Sequence, residues 1–196
     1  MPDTYPSYSQ LLEKIGGVEN FFNVEFLPVR GEKLKLLKFT RIASKKSPLL
    51  IIMAGCHGEE PAPVLSIFEN YKVISQEAEK YKVNLLIYPL VNPWGFSRGK
   101  RMNRLGLNCN RNWFHKKISK IASEVKTIAK DIVKYKPDVF IDLHEDDETK
   151  KLFYIFTYGD RTFDKNIVKA GSKFFPVLKD GHYKTHLKEK VYSKLT

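Results

Sequence analysis

The sequence predicts an α/β fold built on a mostly parallel sheet, with a hairpin at one edge. Three apolar runs, at residues 48–53, 82–90 and 138–144, are bounded by turn residues, as expected of strands that are buried on both faces. Segments in which apolar residues recur at helical spacing separate these runs. Because strands and helices that alternate along a chain are typical of a parallel sheet, these observations together favour the α/β class.

The first forty residues predict scaffold elements. Residues 7–15 have the pattern of a short helix that a nearby serine caps and that Gly16 and Gly17 end. Residues 22–29 and 34–42 flank Arg30-Gly31-Glu32, a turn whose glycine is typical of a hairpin. We expect this hairpin to form the antiparallel edge of the sheet.

The rest of the chain alternates between the two kinds of element. The strand at 48–53 leads into a helix that begins near Pro61, and the strand at 82–90 leads into a segment, 92–115, with little periodicity. A loop of that length in a compact domain is usually functional or disordered. The remaining predicted elements are a helix at 118–135, strands at 138–144 and 151–158, and a helix at 162–175.

Composition narrows the class of protein. The chain has 196 residues and is 42% hydrophobic, which suits one globular domain, and no apolar run approaches the roughly 20 residues of a membrane span. Two cysteines and an N-terminus without a leader pattern predict a cytoplasmic protein. The net charge of +12 comes from dispersed lysines. Without a nucleic-acid-binding signature, we interpret them as a solvated surface and predict neither a nucleic-acid nor a membrane partner.

Two predicted strands end in residues that bind metals. His57 and Glu60 follow the strand at 48–53, and His144 ends the strand at 138–144. In an open α/β sheet, ligands gather beyond the carboxyl ends of the strands, so these three side chains can point at one ion. Two histidines and one glutamate are the set that catalytic zinc uses, with a fourth position left for water. The sequence therefore predicts one Zn²⁺ ion.

The long segment at 92–115 supplies cations and amides. Asn110 and Arg111 put a planar guanidinium beside an amide, a combination suited to binding a carboxylate through two parallel hydrogen bonds. Arg101 lies a few residues earlier and offers a second fixed cation. Each dipeptide is weak evidence when taken by itself.

Five motifs in one order resemble the M14 zinc carboxypeptidases and their succinylglutamate desuccinylase and aspartoacylase relatives over about residues 48–160. The resemblance implies a mixed sheet with helices on both faces, and one zinc ion held by His57, Glu60 and His144. It also implies that Arg101 polarises the scissile carbonyl, while Asn110 and Arg111 bind the substrate's terminal carboxylate. The motifs are His57-Gly58-Glu59-Glu60, Asn92-Pro93-Trp94-Gly95, Arg101-Met102-Asn103-Arg104, Asn108-Cys109-Asn110-Arg111-Asn112-Trp113 and Asp142-Leu143-His144.

The family pattern includes a general-base glutamate late in the sheet, and this chain offers none in a matching context. Glu189 is flanked by lysines, and Glu145 follows a ligand directly, so on a strand its side chain faces away from the metal. We expect residues 1–196 to form a single zinc carboxypeptidase-like domain that lacks its C-terminal strand and helix. The alternative is a protein without the usual base.

The predicted site and the resemblance are compatible with three functions. The first is a zinc metallocarboxypeptidase-like hydrolase that cleaves a peptide or peptide-like amide next to a free carboxylate. The second is a deacylase of N-acyl amino acids, which would use the same ligands. The third is a zinc-binding pseudoenzyme that recognises carboxylate termini without cleaving them, and the missing base favours it.

Overall fold

The computed structural model describes residues 6–113, 120–146, 152–157 and 162–178, and the backbone of 190–192. The chain divides into two compact units, Met1–Glu145 and Asp146–Thr196. In the described residues, the first unit contains a five-stranded sheet and five helices, and the second contains a two-stranded sheet and one helix. That residues 1–196 form one zinc carboxypeptidase-like domain stays a prediction.

The sheet of the first unit is mixed. Its strands are β1 (Asn23–Leu27), β2 (Leu36–Arg41), β3 (Leu49–Ala54), β4 (Asn84–Tyr88) and β5 (Val139–Leu143), in the spatial order β1-β2-β4-β3-β5. β1 and β2 form the antiparallel edge, and β2 is antiparallel to β4. β3 runs parallel to both β4 and β5. This pairing confirms the predicted α/β fold, which has a hairpin at one edge of the sheet and parallel strands beyond it.

Two predicted helices of the first unit have bounds that differ from the observed ones. The helices of the first unit are α1 (Tyr8–Glu13), α2 (Ile15–Val18), α3 (Pro61–Lys80), α4 (Pro93–Phe96) and α5 (Ser123–Ile132). Gly16 and Gly17 lie inside α2 instead of ending a helix, because Ile15 and Val18 are both buried in the core and hold that turn in place. A side chain at Gly17 would also meet the Tyr71 hydroxyl, which explains a glycine there. The helix predicted at 118–135 is shorter, since α5 begins only at Ser123.

Helices cover both faces of the sheet. Successive residues of β4 point to opposite faces, as the period of a strand requires. Leu85 and Ile87 belong to the hydrophobic cluster that contains α1, α2 and α3. Leu86 and Tyr88 belong to the second cluster, which contains α5. This two-sided burial explains why β4 is apolar throughout.

A buried ionic network attaches the C-terminal part of α5 to the sheet. The Lys38 ammonium of β2 is 3% exposed and lies 2.9 Å from an Asp131 carboxylate oxygen. The same oxygen accepts a hydrogen bond of 2.8 Å from the Tyr88 hydroxyl. Hydrogen bonds and ion pairs with Asp131, Tyr135 and Glu25 outweigh the desolvation that would lower the pKa of Lys38, so this pKa is raised. Since a buried charge is tolerated only when it is paired, the network fixes α5 relative to the sheet.

The second unit is small in the described residues. β6 (Ile155–Thr157) pairs antiparallel with β7 (Lys190–Tyr192), and α6 (Asp164–Gly171) carries the buried Val168. The helix predicted at 162–175 is thus shorter in the structure, because Ser172 caps its C-terminal end. Across the residues that the structure describes, no helix combines the length and apolarity that a bilayer crossing requires.

Candidate metal centre and active site

The turn after β3 brings the first two predicted ligands together. Gly55 has a φ of +67°, a left-handed conformation that a side chain would strain, and a Cβ there would also meet Leu90 and Val64. The chain then passes through His57 and Glu60 into α3, whose first residue is Pro61. A proline is favoured at the first position of a helix because its fixed φ suits the helical conformation. The N–H that proline lacks would have no hydrogen-bond partner within the helix at this position.

His57, Glu60 and His144 form one cluster at the carboxyl ends of β3 and β5. Glu60 lies between the two imidazoles, with one oxygen 2.7 Å from His57 Nδ1 and the other 2.7 Å from His144 Nδ1. One potential ligand atom from each residue lies within 4.8 Å of the others. The parallel pairing of Ala54 with Leu143 places His144 beside the turn that carries His57. The structure therefore assembles the three ligands that the sequence predicts.

Hydrogen bonds within the cluster hold Glu60 ionised between the two imidazoles. Burial alone would raise the pKa of Glu60, but hydrogen bonds from His144 and His57 outweigh it and lower this pKa to about 2. Burial alone would lower the pKa of His144, but hydrogen bonds to Asp142 and Glu60 raise it to about 10. An ionised carboxylate between two imidazole nitrogens is a donor set that a divalent ion such as zinc prefers. The residues present therefore fit a metal.

Two further side chains orient the imidazoles. The Asn108 Oδ1 atom accepts a backbone hydrogen bond of 3.1 Å from the Arg111 N–H, and it lies 3.2 Å from His57 Nε2. Because that oxygen is an acceptor, it holds a proton on His57 Nε2, and Nδ1 is the nitrogen left to coordinate a metal in place of its contact with Glu60. The Asp142 Oδ2 atom lies 3.0 Å from His144 Nε2 and accepts a hydrogen bond from it, so Nδ1 is again the nitrogen that a metal would take in place of the proton shared with Glu60.

Arg101 lies beside this cluster. Its Nη1 atom is 2.8 Å from a Glu59 carboxylate oxygen and 3.5 Å from a Glu60 oxygen. The side chain is 47% exposed, so the guanidinium faces the solvent side of the ligands. A cation in this position can stabilise negative charge that develops next to a bound metal.

Asn110 and Arg111 lie in a 3₁₀ turn that spans Asn110–Asn112. The Asn112 side-chain oxygen accepts a hydrogen bond of 2.6 Å from the Ala122 N–H, so the turn is attached to the start of α5. Arg111 is exposed, and within the described part of the chain neither its guanidinium nor the Asn110 amide has a partner. Both groups are therefore available to a ligand.

Glu145, considered above as a base, has a structural contact instead. Its Oε2 atom accepts a hydrogen bond of 3.1 Å from the Ala62 N–H, in the first turn of α3. A carboxylate at a helix N-terminus satisfies a free N–H and interacts favourably with the helix dipole. Glu189, the other candidate, lies outside the described residues.

Three contributors to the site were not assigned a function from the sequence. Asn108 contacts His57, Glu59 contacts Arg101, and Gly58 lies where two loops meet. The Gly58 N–H donates to the Lys100 carbonyl oxygen at 3.1 Å, and a Cβ at Gly58 would overlap backbone atoms of Gly95, Phe96 and Lys100. Each of these three residues lies within a motif quoted above, and its closeness in sequence to a predicted site residue was the signal that could have indicated it. Its contact partner lies far away in the sequence, so the sequence did not identify the contact.

The fold and the two-histidine, one-glutamate cluster place the protein in the superfamily that contains the metallocarboxypeptidases and their succinylglutamate desuccinylase and aspartoacylase relatives. Residues 46–171 match the family described as the succinylglutamate desuccinylase/aspartoacylase catalytic domain. This match covers more than half of the chain, and the protein belongs to that family. The predicted superfamily is thereby confirmed. No curated protein sequence matches the chain.

Solved structures show the same fold. A candidate carboxypeptidase from Burkholderia mallei ATCC 23344 superposes with a TM-score of 0.74 at 18% identity, over 92% of this chain and 51% of that protein. A candidate metallopeptidase from Shewanella baltica OS155 gives 0.68 at 25% identity, over 89% of this chain and 70% of its own. A metallo-carboxypeptidase from Pseudomonas aeruginosa, in complex with (2-guanidinoethylmercapto)succinic acid, gives 0.56 at 23% identity, over 72% and 40%. The chain thus spans about half the length of the Burkholderia protein.

Proposed function

We propose that the protein is a zinc-dependent hydrolase that cleaves an amide bond next to a free carboxylate. The observation that carries this proposal is the His57, Glu60 and His144 cluster, whose potential ligand atoms lie within 4.8 Å of one another at the end of a parallel sheet. Beside it lie Arg101 and, on the neighbouring loop, Arg111. The family match and the fold of the carboxypeptidase structures support the same class of chemistry.

The three ligands would hold the zinc through one atom of each side chain. When bound, zinc lowers the pKa of its water ligand to about 7 and polarises a carbonyl oxygen. Asn108 and Asp142 hold a proton on Nε2 of His57 and of His144, so each Nδ1 atom, which now contacts Glu60, is the nitrogen that would coordinate the ion. The two acceptors therefore prepare the site before any ion arrives.

Arg101 would donate hydrogen bonds to the carbonyl oxygen under attack. To do so its guanidinium exchanges the Glu59 carboxylate, now 2.8 Å away, for the substrate oxygen. Loss of one such donor costs on the order of 3 kcal/mol of transition-state stabilisation. Arg111 and Asn110 would hold the substrate's carboxylate, because a guanidinium presents two parallel donors to two oxygens. They would position the amide rather than activate it.

A second candidate, removal of an acyl group from an N-acyl amino acid, has its own support. The matching family is named for a desuccinylase and an acylase, whereas the structures that share the fold include carboxypeptidases. Both reactions cleave an amide whose amino side carries a carboxylate. The same cluster and the same cations would serve either substrate.

One panel of substrates separates these functions. The zinc-loaded protein is incubated with peptides that have free C-termini, with the same peptides amidated, and with N-acylated amino acids. Cleavage of free but not amidated peptides supports a carboxypeptidase, and cleavage of the acylated amino acids alone supports the deacylase. Binding of carboxylates without any turnover would refute a hydrolase and favour a zinc-binding pseudoenzyme.

The His144→Ala variant is the control for the metal. It removes one of the three ligands, and we expect the zinc content of the purified protein to fall well below that of the wild type, together with all turnover. Metal analysis that shows undiminished zinc in this variant would contradict the assigned site.

A further inference from the structure

Glu124 is a buried carboxylate that the proposed chemistry does not use. It lies in the first turn of α5 and is 1% exposed. Its Oε2 atom accepts a hydrogen bond of 2.9 Å from the Asn103 side-chain amide, while Oε1 has no hydrogen-bond partner among the described residues. Burial of a carboxylate is unfavourable unless hydrogen-bond partners compensate for the lost hydration, so the contact with Asn103 is the interaction that stabilises Glu124 in this position.

Asn103 organises the loop that carries Arg101. Its Oδ1 atom accepts backbone hydrogen bonds from Leu105 and Leu107, at 3.0 and 2.9 Å. Since two N–H donors face that oxygen, the amide nitrogen must face Glu124, and only an acceptor at position 124 can satisfy it. The Asn103 N–H also donates to the Leu107 carbonyl oxygen, which closes the loop.

The same loop is held on its other side by the turn next to the metal ligands. The Gly58 N–H donates to the Lys100 carbonyl oxygen, and the Asn92 amide donates to the Arg101 carbonyl oxygen at 3.3 Å. Arg101 therefore lies between two attachments. The first consists of these two hydrogen bonds, and the second is the bond from Asn103 to Glu124.

α5 is a rigid support for the second attachment. Its C-terminal part is fixed by the Asp131 network described above, and Ala122, just before its first residue, donates to Asn112 of the turn that carries Arg111. The start of α5 thus contacts both loops that supply cations to the site. A shift of this turn would move Arg101 and Arg111 relative to the ligands.

We propose that Glu124 is a positioning residue that sets the location of Arg101 through Asn103. This inference rests on the proposed hydrolase function, in which Arg101 acts on the carbonyl oxygen. Glu124 itself touches neither a metal ligand nor the substrate-binding arginines in the described residues. Its effect on the reaction is therefore confined to the placement of the loop.

Kinetics of paired variants test the inference. Glu124→Leu removes the acceptor, and Glu124→Gln keeps one; each is made in the wild type and in Arg101→Ala. Misplacement of a reacting group by about 1 Å can cost on the order of 100-fold. We expect Glu124→Leu to lower kcat by about 10- to 100-fold with little change in KM, and Glu124→Gln to restore most of that rate. In Arg101→Ala, Glu124→Leu should cause no further loss, because its effect passes through Arg101.

Zinc content and the affinity for a carboxylate ligand should stay at the wild-type values in Glu124→Leu. An equal loss of kcat in the Arg101→Ala background would overturn the inference, and so would an equal loss in Glu124→Gln. If Glu124→Leu does not fold, Asn103→Asp removes the donor of the same bond, keeps an acceptor for the Leu105 and Leu107 N–H groups, and enters the same cycle.

Hydrogen exchange separates this inference from the proposed function. The Leu105 and Leu107 amides should exchange faster in Glu124→Leu than in the wild type, and at nearly the wild-type rate in Glu124→Gln. This readout needs no substrate. A wild-type protein that cleaves nothing in the panel refutes the hydrolase, whereas unchanged exchange in Glu124→Leu refutes the positioning by Glu124.

Discussion

Substitution of Asn108 by alanine should weaken the metal site without removing a ligand. Asn108 Oδ1 is the acceptor for His57 Nε2, at 3.2 Å, and His57 is 3% exposed, so bulk water has little access to replace it. A buried N–H left without an acceptor costs about 1 to 3 kcal/mol. The ring can avoid that cost by moving its proton to Nδ1, but this tautomer cannot coordinate. Both the unsatisfied N–H and the change of tautomer raise the free energy of the metal-bound state.

The expected size of the effect follows from this contact. Loss of such an orienting partner typically lowers metal affinity by about 10- to 100-fold. That range corresponds to about 1.4 to 2.8 kcal/mol, in agreement with the cost of the unsatisfied N–H. Asn108→Asp keeps an acceptor and strengthens it with a charge, so this variant should bind zinc at least as tightly as the wild type.

Competition with a chromophoric chelator measures the zinc dissociation constant of each variant. Asn70→Ala is the matched control, because Asn70 donates only to the Ser66 carbonyl oxygen on the exposed face of α3. It should leave zinc affinity unchanged. A dissociation constant for Asn108→Ala that equals that of Asn70→Ala would refute the argument that Asn108 fixes the tautomer of His57.

Three further predictions follow from the same structure. Arg111→Ala should weaken binding of a carboxylate ligand by about 2 to 5 kcal/mol in calorimetry while zinc stays bound, with partial recovery in Arg111→Lys; equal affinity of the wild type for the ligand and its amide would contradict it. Gly58→Ala should destabilise the protein by several kcal/mol in denaturant unfolding, because its Cβ would overlap backbone atoms of Gly95 and Lys100. Gly99→Ala is the control: its Cβ would meet open space, and the φ of +56° alone should cost about 1 to 2 kcal/mol. Burial raises the pKa of Glu124 above its ordinary 4.5, so the folded state holds this proton more tightly than the unfolded state does. The wild type should therefore lose stability relative to Glu124→Gln as the pH rises from about 4.5 through the raised pKa. A difference in unfolding free energy that does not change with pH would contradict this.

The order and type of the main elements could be predicted because they depend on local patterns. β3 and β4 are apolar runs bounded by turn residues, and α3 has an apolar face and a proline at its start. The sequence also predicted the three candidate ligands, because His57, Glu60 and His144 follow strands whose carboxyl ends meet at one edge. None of these inferences required knowledge of which strands are neighbours.

The long-range partners of the candidate ligands were decided by the tertiary structure. Asn108 faces His57 because the segment that carries it returns to the turn after β3, whereas Asp142 faces His144 from only two positions earlier in the chain. Glu145 reaches α3 because β5 lies beside β3 in parallel register. The contacts of Asn108 and Glu145 join residues that lie 51 and 83 positions apart, and local hydrophobic periodicity does not encode them.

Glu124 shows the same division between sequence and structure. It was assigned no function from the sequence, yet it is buried against Asn103, 21 positions earlier. The short helix α2 is a second example, since the burial of Ile15 and Val18 outweighs the helix-ending tendency of Gly16 and Gly17. The sequence by itself predicted the order and type of the main elements and the chemistry of the candidate ligands. Packing between distant segments decided which side chains orient them, because buried polar groups must find their partners wherever the fold places them.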